Sequence, residues 1–496
     1  MLTATGAGYS QWSDVGVTRW RGDATCDGDG SYLLLRHADG TAWSATVQPL
    51  DSVAAHEAVE FSEACACYVG RHGAITATMD VLVLPEAAGE VRRLTLHNAS
   101  QADVDIEATS YAELVLAGAG GDAAHPAFSK LFVHTAFDVD TQSLIAMRRP
   151  RASDETPCWA AHLLTVQDEN ECIGALEWET DRARFIGRDR SLRNCIALDT
   201  RQSLSGTVGT VLDPIFALRR SVRIAAVKSV TLTFWTVVAE SREAVLRLAG
   251  QCRATDAFNS AIRMAQDDAS KQLLTLEIDT VQARTCQQLA STLLYLAAPP
   301  LRSSTAQILE GVGGAPNLWA GGISGDHPIA LATVSGECGL AFVEGLLKCH
   351  AYLLARNLHS DLVILNMVDA AAGDALQPKL QQLAKPYLPI GEGKPAVFVV
   401  RDKDLGASTR CALLTAARVH LQDTNGSLAV QLDAQAAGQI APDSPVTGHA
   451  INGEADSLQR PVLQFDNGIG GFSEDGRSFV MCLAGRAGRS RSSAGR

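Results

Sequence analysis

The chain opens on side chains suited to gripping a sugar. Tyr9, Trp12, Arg19, Trp20, Arg21 and Asp23 crowd one short segment. Aromatic faces cover the C–H surface of a pyranose, while guanidinium and carboxylate groups hydrogen-bond its hydroxyls in fixed directions. A structural alternative stands beside this one: Trp12 and Trp20 plug one end of a β-sandwich, and Arg19 pairs with Asp23. A second cluster is the glycine-rich loop from Trp319 to Pro328, with Asp326 inside it. Glycine lets backbone approach a ring or an anion closely, so Trp319 and Asp326 are candidates for sugar contact and for a proton donor. The loop lacks the lysine and the second hydroxyl of a P-loop, which argues against nucleotide. Its structural alternative is a turn with Asp326 as a helix N-cap. His125 beside Asp122 supplies only one histidine and one carboxylate, and a satisfied loop histidine explains it more simply.

The segments that would position these residues change character along the chain. Up to about residue 240 the pattern is β. Ser31 to Arg36, Ile75 to Leu84, Glu90 to His97, Val104 to Leu116 and Val230 to Val238 are rich in branched apolar residues, and several alternate apolar with polar. Asp39-Gly40 and Ala88-Gly89 fall between such runs as turns. Many strands without helices between them predict one antiparallel sandwich over 1–240. Ser241 is an N-cap candidate for a helix that Gly250 closes. Helices over Asp256 to Leu276 and Val281 to Ala298 follow, stopped by Pro299-Pro300, so 241–324 reads as a helical linker. From 325 to 430 compact strands, Asp361 to Asn366 and Ala396 to Val400, alternate with helices, Asp374 to Ala384 and Ser408 to Val419. That alternation predicts a small parallel α/β region. Beyond 431 the chain reads as irregular, with a Gly/Ser/Arg-rich, disordered end from Ala484 to Arg496.

Bulk properties narrow the classes. The 496 residues are 46 % hydrophobic and 20 % charged, a globular balance. A net charge of −13 opposes a nucleic-acid partner, since phosphate backbones need a basic face. No signal sequence opens the chain, and no apolar run of about 18 residues predicts a direct membrane span. The twelve cysteines show no metal spacing; Cys65 and Cys67 share a strand face without a second pair or a histidine. Reduced, buried thiols of a cytoplasmic protein are the expectation, with neither metal nor cofactor.

The order of residues also resembles a family. Gly8-Tyr9-Ser10, Asp14, Arg19-Trp20-Arg21, Asp23, Gly30-Ser31-Tyr32, Asp39-Gly40, Trp43-Ser44 and Gln48-Pro49 follow the opening of glycoside hydrolase family 94, which includes cellobiose and chitobiose phosphorylases. The match is nearer to the family-94 region of cyclic β-1,2-glucan synthases. It continues through Ser110 to Leu116, His125 to Phe132, Gly209 to Leu218, Leu318 to Pro328 and Asn467 to Phe472. The resemblance implies a super-sandwich fold and a parent synthase anchored in the inner membrane, which builds β-1,2-glucan from UDP-glucose. In the family an aspartic acid in a Trp-Asn-Asp-Gly context of an (α/α)₆ barrel protonates the leaving oxygen while phosphate attacks. No Trp-Asn-Asp occurs in this sequence. The resemblance therefore implies a first super-sandwich and its continuation, cut before a second, with Met1 an internal methionine and the basic tail an out-of-frame end. The expected function is carbohydrate binding or scaffolding without independent turnover, with β-1,2-glucan and the rest of the synthase, or a second copy, as partners. Two alternatives remain open: a divergent inverting phosphorylase using Asp326, and a protein-assembly module.

Overall fold

Period-two burial governs the first half of the chain, because side chains of a strand point alternately to the two faces of its sheet. The structure, a computed structural model, describes residues 1–21, 28–50, 55–150, 155–199, 203–295, 301–310, 315–388, 396–438 and 461–481. Its strands begin with β1 (Gln11–Trp12), β2 (Val15–Thr18), β3 (Tyr32–His37), β4 (Ala42–Ser44) and β5 (Ala55–Phe61). Next come β6 (Ala66–His72), β7 (Ile75–Val83), β8 (Gly89–Asn98), β9 (Val104–Gly118) and β10 (Val133–Asp138). β11 (Ser143–Arg148), β12 (Cys158–Val166), β13 (Cys172–Asp181), β14 (Pro214–Ile224) and β15 (Ser229–Ala239) complete the set. The expected turn at Asp39-Gly40 joins β3 to β4: Gly40 takes a left-handed φ of 96°, and the Thr41 amide donates to Asp39 Oδ1 at 2.8 Å.

Two antiparallel sheets result. One has seven strands along β1-β2-β9-β14-β13, with β3 and β4 attached, and the other runs β10-β11-β12-β15-β8-β7-β6-β5. β9 organises the first sheet. Its residues 106–111 pair with β3 and 114–118 with β2, while β14 takes its other edge. The inner faces of both sheets meet in a single buried cluster that includes Leu33, Ile106 and Leu218 from one sheet and Ile75, Leu94 and Leu232 from the other. The β half is therefore one two-layer sandwich.

Both outer faces are also covered. α1 (Ala119–Ala124) and α2 (Pro126–Lys130) follow β9; α3 (Arg182–Ile186) and α4 (Ile196–Asp199) lie over the first sheet, burying Phe185, Ile186 and Leu198 against Tyr32, Leu34 and Ile215. α5 (Arg242–Cys252) and α6 (Ala257–Leu276) cover the second, with Val245, Ala249, Phe258 and Ala261 against Val91, Leu163 and Trp235. Ser241 caps α5 as its type suggests, its hydroxyl accepting from the Ala244 amide at 3.2 Å. The helix runs two residues past Gly250 before it ends. Ser241→Ala is expected to lower stability by about 1 kcal/mol, read from the urea midpoint, since one amide of the first turn loses its acceptor.

The chain divides into two compact units, Met1–Arg284 and Thr285–Arg496. The second contains most of α7 (Thr280–Leu294), then α8 (Thr305–Glu310), α9 (Ala315–Trp319), β16 (Ile329–Val334), α10 (Leu340–Ala355) and β17 (Asp361–Asn366). α11 (Ala370–Ala384), β18 (Val397–Arg401), α12 (Ala407–Ala416), β19 (Ala417–Gln422) and α13 (Leu428–Gly438) follow. Its four-stranded sheet is parallel throughout, in the order β18-β17-β16-β19. The helix expected from Ser408 to Val419 stops at Ala416. Ala417, Val419 and Leu421 are buried while Arg418, His420 and Gln422 are only partly so, a period of two that pairing with β16 selects. Regular structure continues past residue 430, where composition suggested an irregular tail: α13 is followed by a hairpin of β20 (Gly470–Phe472) and β21 (Phe479–Met481). Ala484 to Arg496 and Pro299-Pro300 lie outside the described residues. The stretch Glu337–Ala355 has the length and hydropathy to cross a membrane. In the fold, α10 buries Val343, Leu346, Leu347 and Leu353.

Candidate functional site

β2 delivers the opening cluster to one end of the sandwich. It pairs with the last residues of β9 through a register shift, and beyond it the Arg19 amide donates to the Glu113 carbonyl at 3.0 Å. The Arg19 guanidinium is 1 % exposed; Nε donates to Glu113 Oε2 at 2.9 Å and Nη1 to Asp122 Oδ2 at 2.6 Å. Glu113 uses its other oxygen to accept from Arg182 Nε at 2.6 Å and from the Tyr111 hydroxyl at 3.0 Å. Arg182 reaches on to Asp213, whose second oxygen accepts from Lys130 Nζ at 2.5 Å. Charges thus alternate along Asp122, Arg19, Glu113, Arg182, Asp213 and Lys130. Burial pushes the Glu113 carboxyl up, but Arg182 and then Arg19 outweigh it and hold it below the usual carboxylate range. Tyr111 is driven well above its ordinary value by burial first and by Glu113 second.

Arg19 is therefore held inside the protein by Glu113 and Asp122 through Nε and Nη1, while its Nη2 is buried without a partner. Asp23, its expected partner, lies outside the described residues. The aromatic members behave differently. Tyr9 and Trp20 are half-buried with ring centroids 6.1 Å apart, and Arg21 beyond them is exposed. Trp12 is half-buried against the sandwich core, as the plug alternative had it. Asp29 sits beside this group, its carboxyl raised by burial first and by Glu113 next. The arrangement offers a tilted aromatic pair, an exposed arginine and, beside it, a partly desolvated carboxyl: a candidate binding edge. Asp122 serves Arg19 rather than His125, which is exposed at the start of α2.

The second cluster lies in the second unit. Trp319, at the end of α9, is 60 % exposed, and its indole donates to the Ser324 carbonyl at 3.0 Å. Asp326 is exposed on a loop that runs into β16, so it caps no helix, contrary to the turn-and-cap expectation. Its charge acts on buried Asp361, whose carboxyl is raised by burial first, with His327 and His350 opposing. Burial, with Asp80 next, pushes both Cys65 and Cys67 up to about 11, so they remain thiols at neutral pH. Among the described residues no group of three or more His, Cys, Asp or Glu could hold a metal ion.

Reading residue types along the chain missed the ionic network. Glu113, Lys130, Arg182 and Asp213 stand far apart in sequence, and only the fold joins them. A signal did exist: Glu113 interrupts the apolar run Tyr111 to Leu116, and a carboxylate in a buried strand requires a cationic partner. The stretches that carry the family resemblance, around Arg19, Ser110 to Leu116, His125 to Phe132 and Gly209 to Leu218, are the ones that supply Arg19, Glu113, Lys130 and Asp213.

Residues 1–255 match the glycosyl hydrolase 94 supersandwich domain. The chain is 33 % identical over 500 residues to the cyclic beta-(1,2)-glucan synthase NdvB of Rhizobium meliloti (strain 1021). That alignment covers 98 % of this chain and 18 % of the relative, so the chain spans less than a fifth of that protein's length. Among solved structures, a bacterial glucoamylase complexed with acarbose aligns over 77 % of this chain and 55 % of its own, at 8 % identity and a TM-score of 0.35. A polysaccharide lyase aligns over 44 % of this chain and 27 % of its own, at 12 % identity and a TM-score of 0.25. Superpositions this loose support no inference about function. On the domain match and the two-layer sandwich that fills it, the chain belongs to glycosyl hydrolase family 94 and carries its supersandwich domain in residues 1–255.

Proposed function

We propose that this chain is a carbohydrate-binding and scaffolding portion of a cyclic β-1,2-glucan synthase, without sugar turnover of its own. Similarity to the glucan synthase supports the class of ligand. The observation that carries the reading is the Tyr9–Trp20 pair, half-buried at 6.1 Å, with Arg21 exposed beside it. Lack of turnover is supported by Glu113, the carboxylate at the centre of this network, which Arg182 and Arg19 hold as an anion with no proton to give a leaving group. In this reading Arg19 holds the platform in place, while Trp20 and Arg21 touch β-1,2-glucan or a related glucooligosaccharide. The rest of the synthase, or a second copy, completes the enclosure, on the cytoplasmic side of a membrane-anchored parent.

Binding by the isolated chain should be weak, because affinity for small molecules requires enclosure and an open sandwich end covers only part of a sugar. Calorimetry with a ladder of β-1,2-glucooligosaccharides tests this. Wild type is expected to give heat at millimolar sugar, and Trp20→Ala to abolish it with the thermal midpoint nearly unchanged. If Trp20 is a structural plug instead, its loss costs roughly 3–5 kcal/mol of stability. No heat from wild type at millimolar sugar would remove the binding reading.

A further inference from the structure

Two Asn-Gly pairs stand in exposed turns of the second unit, and the fold treats them differently. Asn425-Gly426 lies between β19 and α13, and Asn467-Gly468 precedes β20; all four residues are exposed. Both glycines take left-handed backbone, with φ of 88° and 90°. At the second pair the reactive groups are held. The Asn467 side-chain oxygen accepts from the Ile469 and Gly470 amides, each at 3.0 Å, and the Gly468 amide donates to Asp466 Oδ1 at 2.8 Å. At the first pair they are not: among the described residues neither the Asn425 side chain nor the Gly426 amide has a hydrogen-bond partner. The Gly426 carbonyl is fixed instead, by Gln431 Nε2 at 3.0 Å, and Gln431 is itself buried. A third pair, Asn452-Gly453, lies outside the described residues.

Asparagine followed by glycine is chemically labile, because glycine has no side chain to keep its nitrogen away from the asparagine carbonyl. We propose that Asn425 is a site of self-modification in the folded protein, converting to aspartate and isoaspartate, while the fold protects Asn467. The Gly426 nitrogen loses its proton and attacks the Asn425 side-chain carbonyl carbon. A new C–N bond closes a cyclic imide, and the side-chain nitrogen leaves as ammonia with that proton. Water then opens the imide at either carbonyl, so neither oxidant nor reductant takes part. Negative charge develops one residue before Ser427, whose hydroxyl caps α13 by accepting from the Val430 amide at 3.4 Å, and a helix N-terminus favours an anion there. The product places a new carboxylate between Asp423 and that cap.

The test is incubation of the full chain in heavy-oxygen water, natively and in urea, followed by peptide mapping with fragment ions that localise the label. Native protein should take up label at residue 425 about tenfold faster or more than at residue 467, since three hydrogen bonds must open before Asn467 can react. The rate at residue 425 should rise with pH, because the attacking nitrogen must give up its proton. Urea should remove the difference, since both asparagines precede glycine. Asp466→Ala frees the Gly468 amide and should raise the native rate at residue 467, with an unchanged rate at residue 425 showing that the unit stays folded. Equal native rates at the two positions, no label at residue 425 in native protein, or a difference that persists in urea would each overturn the proposal.

Discussion

Glu113→Ala is expected to destabilise the first unit by roughly 3–5 kcal/mol, the range for removing one partner of a buried ion pair. The size follows from what remains. Arg19, 1 % exposed, would keep only Asp122, and Arg182 and the Tyr111 hydroxyl would lose the oxygen that both use. Glu113→Gln retains the shape and an acceptor but not the charge, so it should fall between wild type and alanine. The sign with pH is fixed by the direction of the Glu113 shift. Its carboxyl is depressed in the folded state despite burial, because Arg182 and Arg19 favour the anion. Its contribution is therefore present above the unfolded carboxyl value of 4.5 and lost as pH falls through the lower folded value. Urea midpoints at neutral pH supply the measurement. A loss under about 1 kcal/mol would mean that the network behaves as a solvent-screened surface pair.

Acid should also loosen the sandwich through His162, a residue whose type and place in the sequence gave no warning. It lies on β12 between the two sheets, with Nε2 2.8 Å from the Ser110 hydroxyl on β9 and Nδ1 3.0 Å from the Thr236 hydroxyl on β15. Phe216 and Phe234 stack on its ring at centroid distances of 5.6 and 6.2 Å. Burial lowers its pKa from 6.5 to about 4, with Glu90 opposing more weakly. The unfolded chain binds this proton more readily than the folded one, so stability is full above pH 6.5 and declines as pH falls toward 4. The loss should total on the order of 3 kcal/mol, at most about 1.4 kcal/mol per pH unit. His162→Gln should weaken the protein at neutral pH yet flatten that decline. Chemical unfolding at steps from pH 7 to pH 4 decides it, and an unchanged slope in the variant would assign the acid sensitivity to other groups.

The strands easiest to read from sequence are those with one face toward a mixed environment. β7 and β8 alternate buried with half-buried residues, and that alternation is visible in the letters. β11, β12 and β14 are buried along nearly all their length because helices or loops cover the outer faces of both sheets. An apolar run buried on both sides has no period, so nothing distinguishes it from a helix segment until its neighbours are known. β16 and β19 escaped for the same reason, being short apolar runs whose pairing partner sits far along the chain.

The candidate site divides in a similar way. Residue type alone singled out Tyr9, Trp20 and Arg21, and family order singled out the stretches that meet around Glu113. The fate of Arg19 was beyond either, because its carboxylates stand 94 and 103 residues away and only the β2–β9 ladder brings them within 3 Å. Sequence determined the class of the protein, because sandwich periodicity and motif order are local properties of the chain. Tertiary structure alone decided which charged groups are held inside and which face solvent, because a charge enters a sheet only where distant strands supply its counter-charge.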